Sequence, residues 1–269
     1  MGGKIPKERL DVLLVKRGLF ESREKAKRHV MAGLVIVNGE VEYKPGKMVS
    51  VDSEISVKEP PRYVSRGGYK IESVWDELGL NVGGKTVCDI GASTGGFTDF
   101  LLQRGAKKVY AVDVGRGQLH WKLRKDDRVV VMEKKNARYL TEDDLGERVE
   151  FVTCDVSFIS ITKIIPAISR ILREDGEALL LIKPQFEAPR DAVEKGVVRD
   201  FRVHVEVVEN VLRTLRENGF VIRGLNFSKL KGPAGNIEYF VHVSKKGEDV
   251  FPSVEEIVSK AFRTLGGYG

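Results

Sequence analysis

The sequence predicts an α/β protein, in which a mainly parallel sheet carries helices on both faces and a small basic α+β module precedes it. Short apolar strands alternate with helical patterns from about residue 66 onward, which is typical of such sheets. A glycine-rich turn joins the first of these strands to a helix. The formal net charge is +6, and residues 1–66 carry most of it, with 14 Lys and Arg against 9 Asp and Glu. We therefore expect a basic binding module joined to a larger, nearly neutral domain.

The composition excludes several classes of protein. Of the 269 residues, 42% are hydrophobic, which is enough to bury a core and excludes wholesale disorder. No apolar run approaches the roughly 20 residues that span a bilayer, and the first residues lack the apolar stretch of a secretory signal. Cys88 and Cys154 are too few for a disulfide framework and too isolated for a metal site. We expect a soluble protein of the reducing cytoplasm that uses no metal.

The boundary between the two domains is predicted at residues 58–62, because Pro60 and Pro61 cannot continue a helix or a strand. We expect a first domain over residues 1–60, a linker over 61–66 and a larger domain over 67–246. A C-terminal helix and tail would occupy residues 247–269.

Two short helices and a small sheet are predicted in the first domain. Apolar side chains recur at helical spacing before Gly18 and again before Gly33. Ser22 is well placed to cap the second helix. An apolar strand is followed by Asn38-Gly39, a strong hairpin signal.

A run of basic side chains lies on the second helix. Such a run is often only a solvated helix face, but here the hairpin follows directly, so helix and hairpin together could hold a backbone phosphate. Residues 9–57 resemble the S4 RNA-binding domain, most closely in the stretches 22–28 and 33–39. The resemblance implies recognition of structured RNA by shape and phosphate contact. The residues expected to bind RNA are Arg9, Arg23, Lys25, Lys27, Arg28 and Arg66.

The larger domain contains five predicted strands with helical patterns between most of them. These strands lie at residues 86–90, 108–113, 128–132, 149–155 and 177–183. Two more strands, at 220–227 and 237–243, follow a helix at 201–218 and are close enough in sequence to add an antiparallel edge. The arrangement indicates a mainly parallel sheet.

The glycine-rich turn follows Asp89, in Gly91-Ala92-Ser93-Thr94-Gly95-Gly96. Its glycines allow a tight turn and close approach of a ligand. Asp113 closes the next strand, where a carboxylate can accept both ribose hydroxyls of a bound adenosine. This turn matches neither the phosphate-binding pattern Gly-x-x-x-x-Gly-Lys-Ser/Thr nor the dinucleotide pattern Gly-x-Gly-x-x-Gly.

S-adenosylmethionine is the nucleotide that suits this turn. It carries an ammonium and a sulfonium, and Asp89 can pair with a cation directly or through water. Three residues after the third strand would flank its adenine. The residues expected to bind S-adenosylmethionine are Asp89, Gly91, Ala92, Ser93, Thr94, Gly95, Gly96, Phe97, Asp113, Asn136, Ala137, Arg138 and Asp155.

Charged residues at two further strand ends predict a catalytic group. Asp155 ends the fourth strand and Lys183 the fifth. A lysine at the end of an apolar strand is partly desolvated, which favours its neutral form and a role as a base. With Lys70 and Glu238, these residues resemble the Lys-Asp-Lys-Glu tetrad of the FtsJ-like ribose 2′-O-methyltransferases. In this interpretation Lys183 activates a ribose hydroxyl, Asp155 orients it, and Lys70 and Glu238 position the ribose.

Other methyl-transfer chemistries fit less well. An amino-methylating enzyme would be expected to show Asn/Asp-Pro-Pro-aromatic after the fourth strand, and this sequence has Asp155-Val156-Ser157-Phe158 there. Methylation of a pyrimidine ring carbon needs a cysteine nucleophile. Cys154 should alternate away from the face of Asp155, as a core residue would.

Residues 7–246 as a whole resemble the TlyA family, an S4 domain fused to an FtsJ-like methyltransferase, some of whose members are labelled hemolysins. The resemblance implies 2′-O-methylation of a cytidine in 16S or 23S ribosomal RNA, or both, on naked RNA or on subunits. A non-catalytic RNA-binding assembly factor would instead show a degraded cofactor turn. A membrane-damaging hemolysin would need an apolar or strongly amphipathic segment, a secretion signal, or both, and neither is visible.

Overall fold

The computed structural model describes residues 6–267, and these form two compact units that divide between Arg62 and Tyr63. The first unit contains two helices and five short strands. In chain order these are β1 (Lys7–Arg9), α1 (Leu10–Lys16), α2 (Arg23–Met31), β2 (Val35–Val37), β3 (Glu40–Glu42), β4 (Met48–Ser50) and β5 (Ile55–Val57). β2 is the centre of an antiparallel sheet in the order β3-β2-β5, and β1 pairs with β4.

Local signals in the first unit are confirmed by the structure. The Ser22 side chain accepts a hydrogen bond from the backbone N–H of Lys25 at 3.3 Å, so it caps α2. Asn38 and Gly39 have φ of 50° and 84° and connect β2 to β3, as a tight hairpin turn requires. The pairing of β1 with β4 was not predicted, because three-residue strands are too short to show a period.

The larger unit has a seven-stranded sheet in the order β11-β12-β10-β9-β6-β7-β8. Its strands are β6 (Thr86–Ile90), β7 (Lys108–Val112), β8 (Val129–Met132), β9 (Val149–Cys154), β10 (Leu172–Ile182), β11 (Val221–Phe227) and β12 (Tyr239–Ser244). Its helices are α3 (Arg66–Trp75), α4 (Gly96–Gln103), α5 (Trp121–Arg124), α6 (Glu142–Leu145), α7 (Ile165–Ile171), α8 (Pro184–Glu187), α9 (Phe201–Glu217) and α10 (Val254–Leu265).

The predicted α/β class, with a mainly parallel, Rossmann-like sheet, is confirmed by this topology. Strands β8, β7, β6, β9 and β10 run parallel, whereas β12 pairs antiparallel with both β10 and β11. β10 alternates its side chains between two cores: Leu180 and Ile182 pack on one face, and Leu179 and Leu181 on the other. Helices therefore cover both faces of the sheet. β10 begins at Leu172, earlier than predicted, with an irregular register before Glu177.

The segment predicted as a linker, 61–66, differs from expectation. Tyr63 is buried, and its ring lies 5.7 Å from that of Phe100. The backbone N–H of Val64 donates to Asp99 at 2.9 Å, and α3 begins at Arg66. Tyr63 belongs to the core of the larger unit because an aromatic side chain gains more from burial than from solvent exposure, whereas Arg66 is exposed.

The C-terminal segment packs on the larger unit as far as it is described. Phe262 of α10 lies 5.6 Å from Phe201 and 5.0 Å from His204, measured between ring centroids. Residues 268–269 of the predicted tail lie outside the described residues. Between residues 6 and 267, no helix combines the length and apolar composition needed to cross a membrane.

Candidate active site

Two adjoining cavities lie where the carboxyl ends of the parallel strands meet, as expected for an open α/β sheet. Their volumes are about 700 and 460 Å³, within the range of small-molecule sites. Both are lined by Gly91, Ser93, Asp155, Ser157 and Phe158. The glycine-rich turn and the end of β9 thus form a wall common to both cavities.

Backbone packing requires glycine at the start of the turn. Gly91 has φ of +80°, and a Cβ placed there would lie 2.2 Å from the carbonyl oxygen of Asp155. Its N–H and that of Ala92 both donate to the carbonyl of Val112. The turn is therefore held tightly against β7 and β9.

Two other glycines serve packing. Gly95, at φ of +98°, lies against Leu123, whose Cδ1 would be 2.1 Å from an added Cβ. Gly95 therefore lies beneath the turn and lines neither cavity, although it was predicted to bind the cofactor. Gly96 touches Ser65 and Gly67, so it lets α3 approach α4 closely enough for Lys70 to reach the larger cavity.

The carboxylate of Asp113 is fixed by two backbone amides. Oδ2 accepts from Ser93 at 2.8 Å and Oδ1 accepts from Gly115 at 2.7 Å. Asp113 lines the smaller cavity together with Asn136, Ala137 and Arg138. Asp113 and the three residues predicted to flank the adenine therefore line the same cavity.

Asp89 differs from the expectation that it faces the cofactor. Its side chain is fully buried, and the hydroxyls of Thr98 and Thr153 donate to it at 2.7 and 2.8 Å. Burial raises the pKa of Asp89 to about 6, and the two hydroxyls oppose that shift. Asp89 therefore links β6 to β9 and α4 through hydrogen bonds beneath the turn. Apart from Asp89 and Gly95, every residue predicted to bind the cofactor lines one or both cavities.

Lys183 and Asp155 form an ion pair at the ends of neighbouring strands. Lys183 Nζ lies 2.5 Å from Asp155 Oδ1 and donates to the Ser157 hydroxyl at 2.9 Å. The lysine is largely buried, whereas the carboxylate is partly exposed.

Lys70 and Glu238 form a second, more deeply buried pair. Lys70 Nζ lies 2.5 Å from Glu238 Oε2, and the glutamate side chain is 1% exposed. The other oxygen, Oε1, is buried and has no hydrogen-bond partner within residues 6–267. The structure thus brings Lys70, Asp155, Lys183 and Glu238 to the wall of the larger cavity, as two lysine–carboxylate pairs.

Cys154 lies on the opposite face of β9 from this wall and is fully buried. Burial raises the pKa of its thiol well above the usual range. A protonated, inaccessible thiol is a poor nucleophile, so the core interpretation of Cys154 is confirmed.

Sequence reasoning missed two features of the loop after β9. Phe158 is 91% exposed at φ of +64°, and its ring lies 5.2 Å from that of Phe186. The carboxylate of Glu187 accepts from the Ser160 hydroxyl at 2.5 Å and from the N–H of Ile161 at 2.7 Å, which ties α8 to the loop after β9. An aromatic residue three positions after Asp155 was the available signal for the exposed ring.

The predicted RNA-binding residues occupy different settings. In the first unit, the buried carboxylate of Asp11 accepts from both Arg9 and Arg23 at 3.0 Å. Lys25 pairs with Glu21 and Lys27 with Glu24 on the exposed face of α2, where Arg28 is also exposed. Arg66 lies in the larger unit, donates to the carbonyl of Lys231 at 3.0 Å and lines the larger cavity.

Comparison with known proteins agrees with this geometry. Residues 63–245 match the FtsJ-like methyltransferase family, and residues 8–55 match the S4 domain. YqxC of Bacillus subtilis is 48% identical over 96% of this chain and 95% of its own. The 16S/23S rRNA (cytidine-2′-O)-methyltransferase TlyA of Mycobacterium tuberculosis is 42% identical over 87% of this chain and 88% of its own.

A solved structure from Streptococcus thermophilus is 47% identical, with a TM-score of 0.75, and the match covers 97% of this chain and 98% of that one. The resemblances in the sequence are confirmed. This chain carries an S4 domain and belongs to the FtsJ-like methyltransferases, in the TlyA group.

Proposed function

We propose that this methyltransferase transfers the methyl group of S-adenosylmethionine to the ribose 2′-hydroxyl of a cytidine in ribosomal RNA. The observation that carries the proposal is the pairing of two lysines with two carboxylates on one cavity wall, next to the glycine-rich turn. A ribose hydroxyl is a weak nucleophile and needs both exact positioning and a partner for its proton.

The smaller cavity fits a nucleoside. It combines the carboxylate of Asp113 with apolar side chains that include Val112, Val114 and Ile164. Asp113 would hold the ribose hydroxyls of S-adenosylmethionine, and residues 136–138 would contact its adenine. When bound, S-adenosylmethionine supplies a sulfonium methyl group that a hydroxyl oxygen can attack.

In the larger cavity, the Lys183 ammonium would first release a proton to solvent. Its neutral Nζ would then hold the target hydroxyl and accept its proton as the oxygen bonds to the methyl carbon and the carbon–sulfur bond breaks, which leaves S-adenosylhomocysteine. Asp155, 2.5 Å away, stabilises the resulting ammonium. Lys70 holds Glu238 in place, and the free oxygen Oε1 of Glu238 is available to accept a hydrogen bond from a substrate hydroxyl.

The proposed substrate class rests on the S4 domain and on the relatives. The first unit presents exposed basic side chains on α2, which suit a phosphate backbone. TlyA of M. tuberculosis is named for cytidine 2′-O-methylation of both ribosomal RNAs, and we extend that specificity to this chain as part of the proposal.

The test is methyl transfer from tritiated S-adenosylmethionine to 16S and 23S ribosomal RNA, offered as protein-free RNA and as subunits from cells that lack the gene. Mapping of 2′-O-methyl groups should show one or a few new cytidine positions that depend on the enzyme. Label on a base, or no label on either RNA, would contradict the proposal. A non-catalytic assembly factor would bind RNA without any transfer.

A further inference from the structure

An exposed aromatic ring lies in a basic segment beside the cofactor turn. Residues 114–125 contain Arg116, Lys122, Arg124 and Lys125 and no acidic residue. Trp121, in the middle of this run, is 66% exposed, whereas the second tryptophan of the chain, Trp75, is 2% exposed. A single exposed apolar side chain needs no special explanation, but aromatic and cationic side chains together are the combination that binds single-stranded nucleic acid.

The segment is held firmly in place. Leu119 and Leu123 are buried on either side of Trp121 and pack over Gly95. The backbone N–H of His120 donates to the carbonyl of Thr94 at 3.1 Å. The backbone at Trp121 is therefore held in place by its neighbours, and the adjacent residue, His120, bonds directly to the cofactor turn. Because this backbone is already ordered, less conformational entropy would be lost on binding.

Charges around the ring remain accessible. Lys125 Nζ lies 5.5 Å from the centroid of the Trp121 ring, within the range of a cation–π contact. Lys122 is exposed and only loosely paired with Asp99, at 3.4 Å. Arg124 is less available, because it pairs with Glu133 and donates to the carbonyl of Leu119.

We propose that Trp121, with Lys122 and Lys125, forms a second RNA-docking surface, on the catalytic unit. An unpaired nucleobase would stack on the indole ring, and the two ammonium groups would neutralise the neighbouring phosphates. Charge complementarity favours RNA over a second copy of the chain, because two such cationic surfaces would repel each other. The proposal rests on the proposed function and adds to it a contact outside the S4 domain and the catalytic tetrad.

The experiment compares Trp121→Ala, Trp121→Phe and Phe251→Ala with the wild type. Phe251 is a matched control: it is also exposed in the larger unit, and its ring lies 4.8 Å from the guanidinium carbon of Arg216, but it lines neither cavity. Kinetics are measured on whichever RNA or subunit the wild type methylates. Trp121→Ala should raise the KM for RNA about tenfold, with kcat within about twofold. Trp121→Phe should retain much of the affinity, and Phe251→Ala should match the wild type.

Tryptophan fluorescence gives a second, independent readout. Because Trp75 is buried, acrylamide should quench mainly Trp121 in the free protein. Saturation with protein-free 16S or 23S RNA should reduce that quenching, and Trp121→Phe should remove the RNA-dependent change.

Unchanged KM values in both Trp121 variants, with quenching unaffected by bound RNA, would overturn the docking surface while leaving methyl transfer intact. The proposal would also be overturned if Trp121→Ala weakened the affinity for S-adenosylmethionine by the same factor as it lowered the rate of methyl transfer. Trp121 would then stabilise the cofactor turn and not bind RNA. If the wild type methylates no ribosomal RNA, the proposed function itself is wrong and this surface falls with it.

Discussion

Lys183 Nζ lies 2.5 Å from Asp155 Oδ1, and the two residues end neighbouring parallel strands of the sheet. The pair therefore depends on strand order and not on a local turn. Because an opposite charge lies so close to the lysine, the ammonium that forms when neutral Nζ accepts the proton of the target hydroxyl is again paired and is not an isolated charge.

Lys183→Ala should lower methyl transfer by about a hundredfold to ten thousandfold, the range expected for loss of a positioned base. RNA affinity should stay near the wild-type value, since the S4 unit is unchanged. Tritium transfer and filter binding measure the two effects. Lys246→Ala, an exposed lysine outside both cavities, is the control. Near-normal turnover of Lys183→Ala would rule out the proposed role.

Asp113→Ala should weaken S-adenosylmethionine binding about tenfold or more, since a hydrogen bond to a charged group contributes about 1.5–3 kcal/mol. The same change also frees the N–H groups of Ser93 and Gly115, which loosens the turn. Calorimetry with the purified protein measures the affinity, and Asp143→Ala, an exposed acid, should have no effect. Equal affinity in the two variants would remove the cofactor assignment.

Asp11→Asn should weaken binding of ribosomal RNA, although it makes the protein more positive. Asp11 holds the side chains of Arg9 and Arg23 together, and an amide would hold them less firmly. Glu21→Gln adds the same charge at an exposed site and should bind RNA as well as or better than the wild type. Filter binding of both variants at several salt concentrations distinguishes the effect of arginine positioning from the effect of net charge. Tighter binding by both variants would mean that only net charge matters.

Asp89 should make the stability of the larger unit depend on pH. Its pKa is raised to about 6 in the folded protein, against about 3.9 in an unfolded chain. Between these values the folded state keeps a proton that the unfolded state releases, so this contribution to stability is complete below about pH 4 and is lost as the pH rises through 6.

In Asp89→Asn that dependence should disappear. The free energy of unfolding of the variant relative to the wild type should therefore rise by about 2–3 kcal/mol between pH 4 and pH 7. Urea unfolding at each pH, with Asp143→Asn as an exposed control, measures it. A difference that does not change with pH would show that Asp89 titrates normally.

Much of this protein could be read from the sequence, because the relevant signals are local. The alternation of apolar strands and helices determines the sheet, the cap by Ser22 begins α2, and Asn38-Gly39 turns the hairpin through two positive φ angles. Asp155 and Lys183 could be placed at one edge because parallel strands end on the same side.

Tertiary packing determined which residues far apart in the sequence are in contact, and which of them are buried. Asp89 and Gly95 belong to the predicted turn, yet Thr98, Thr153 and Leu123 enclose them beneath it. Glu238 meets Lys70 only because β12 inserts beside β10 while α3 packs against α4. Burial and ion pairing depend on neighbours far away in the chain, and a linear pattern carries no information on which of those neighbours will be in contact.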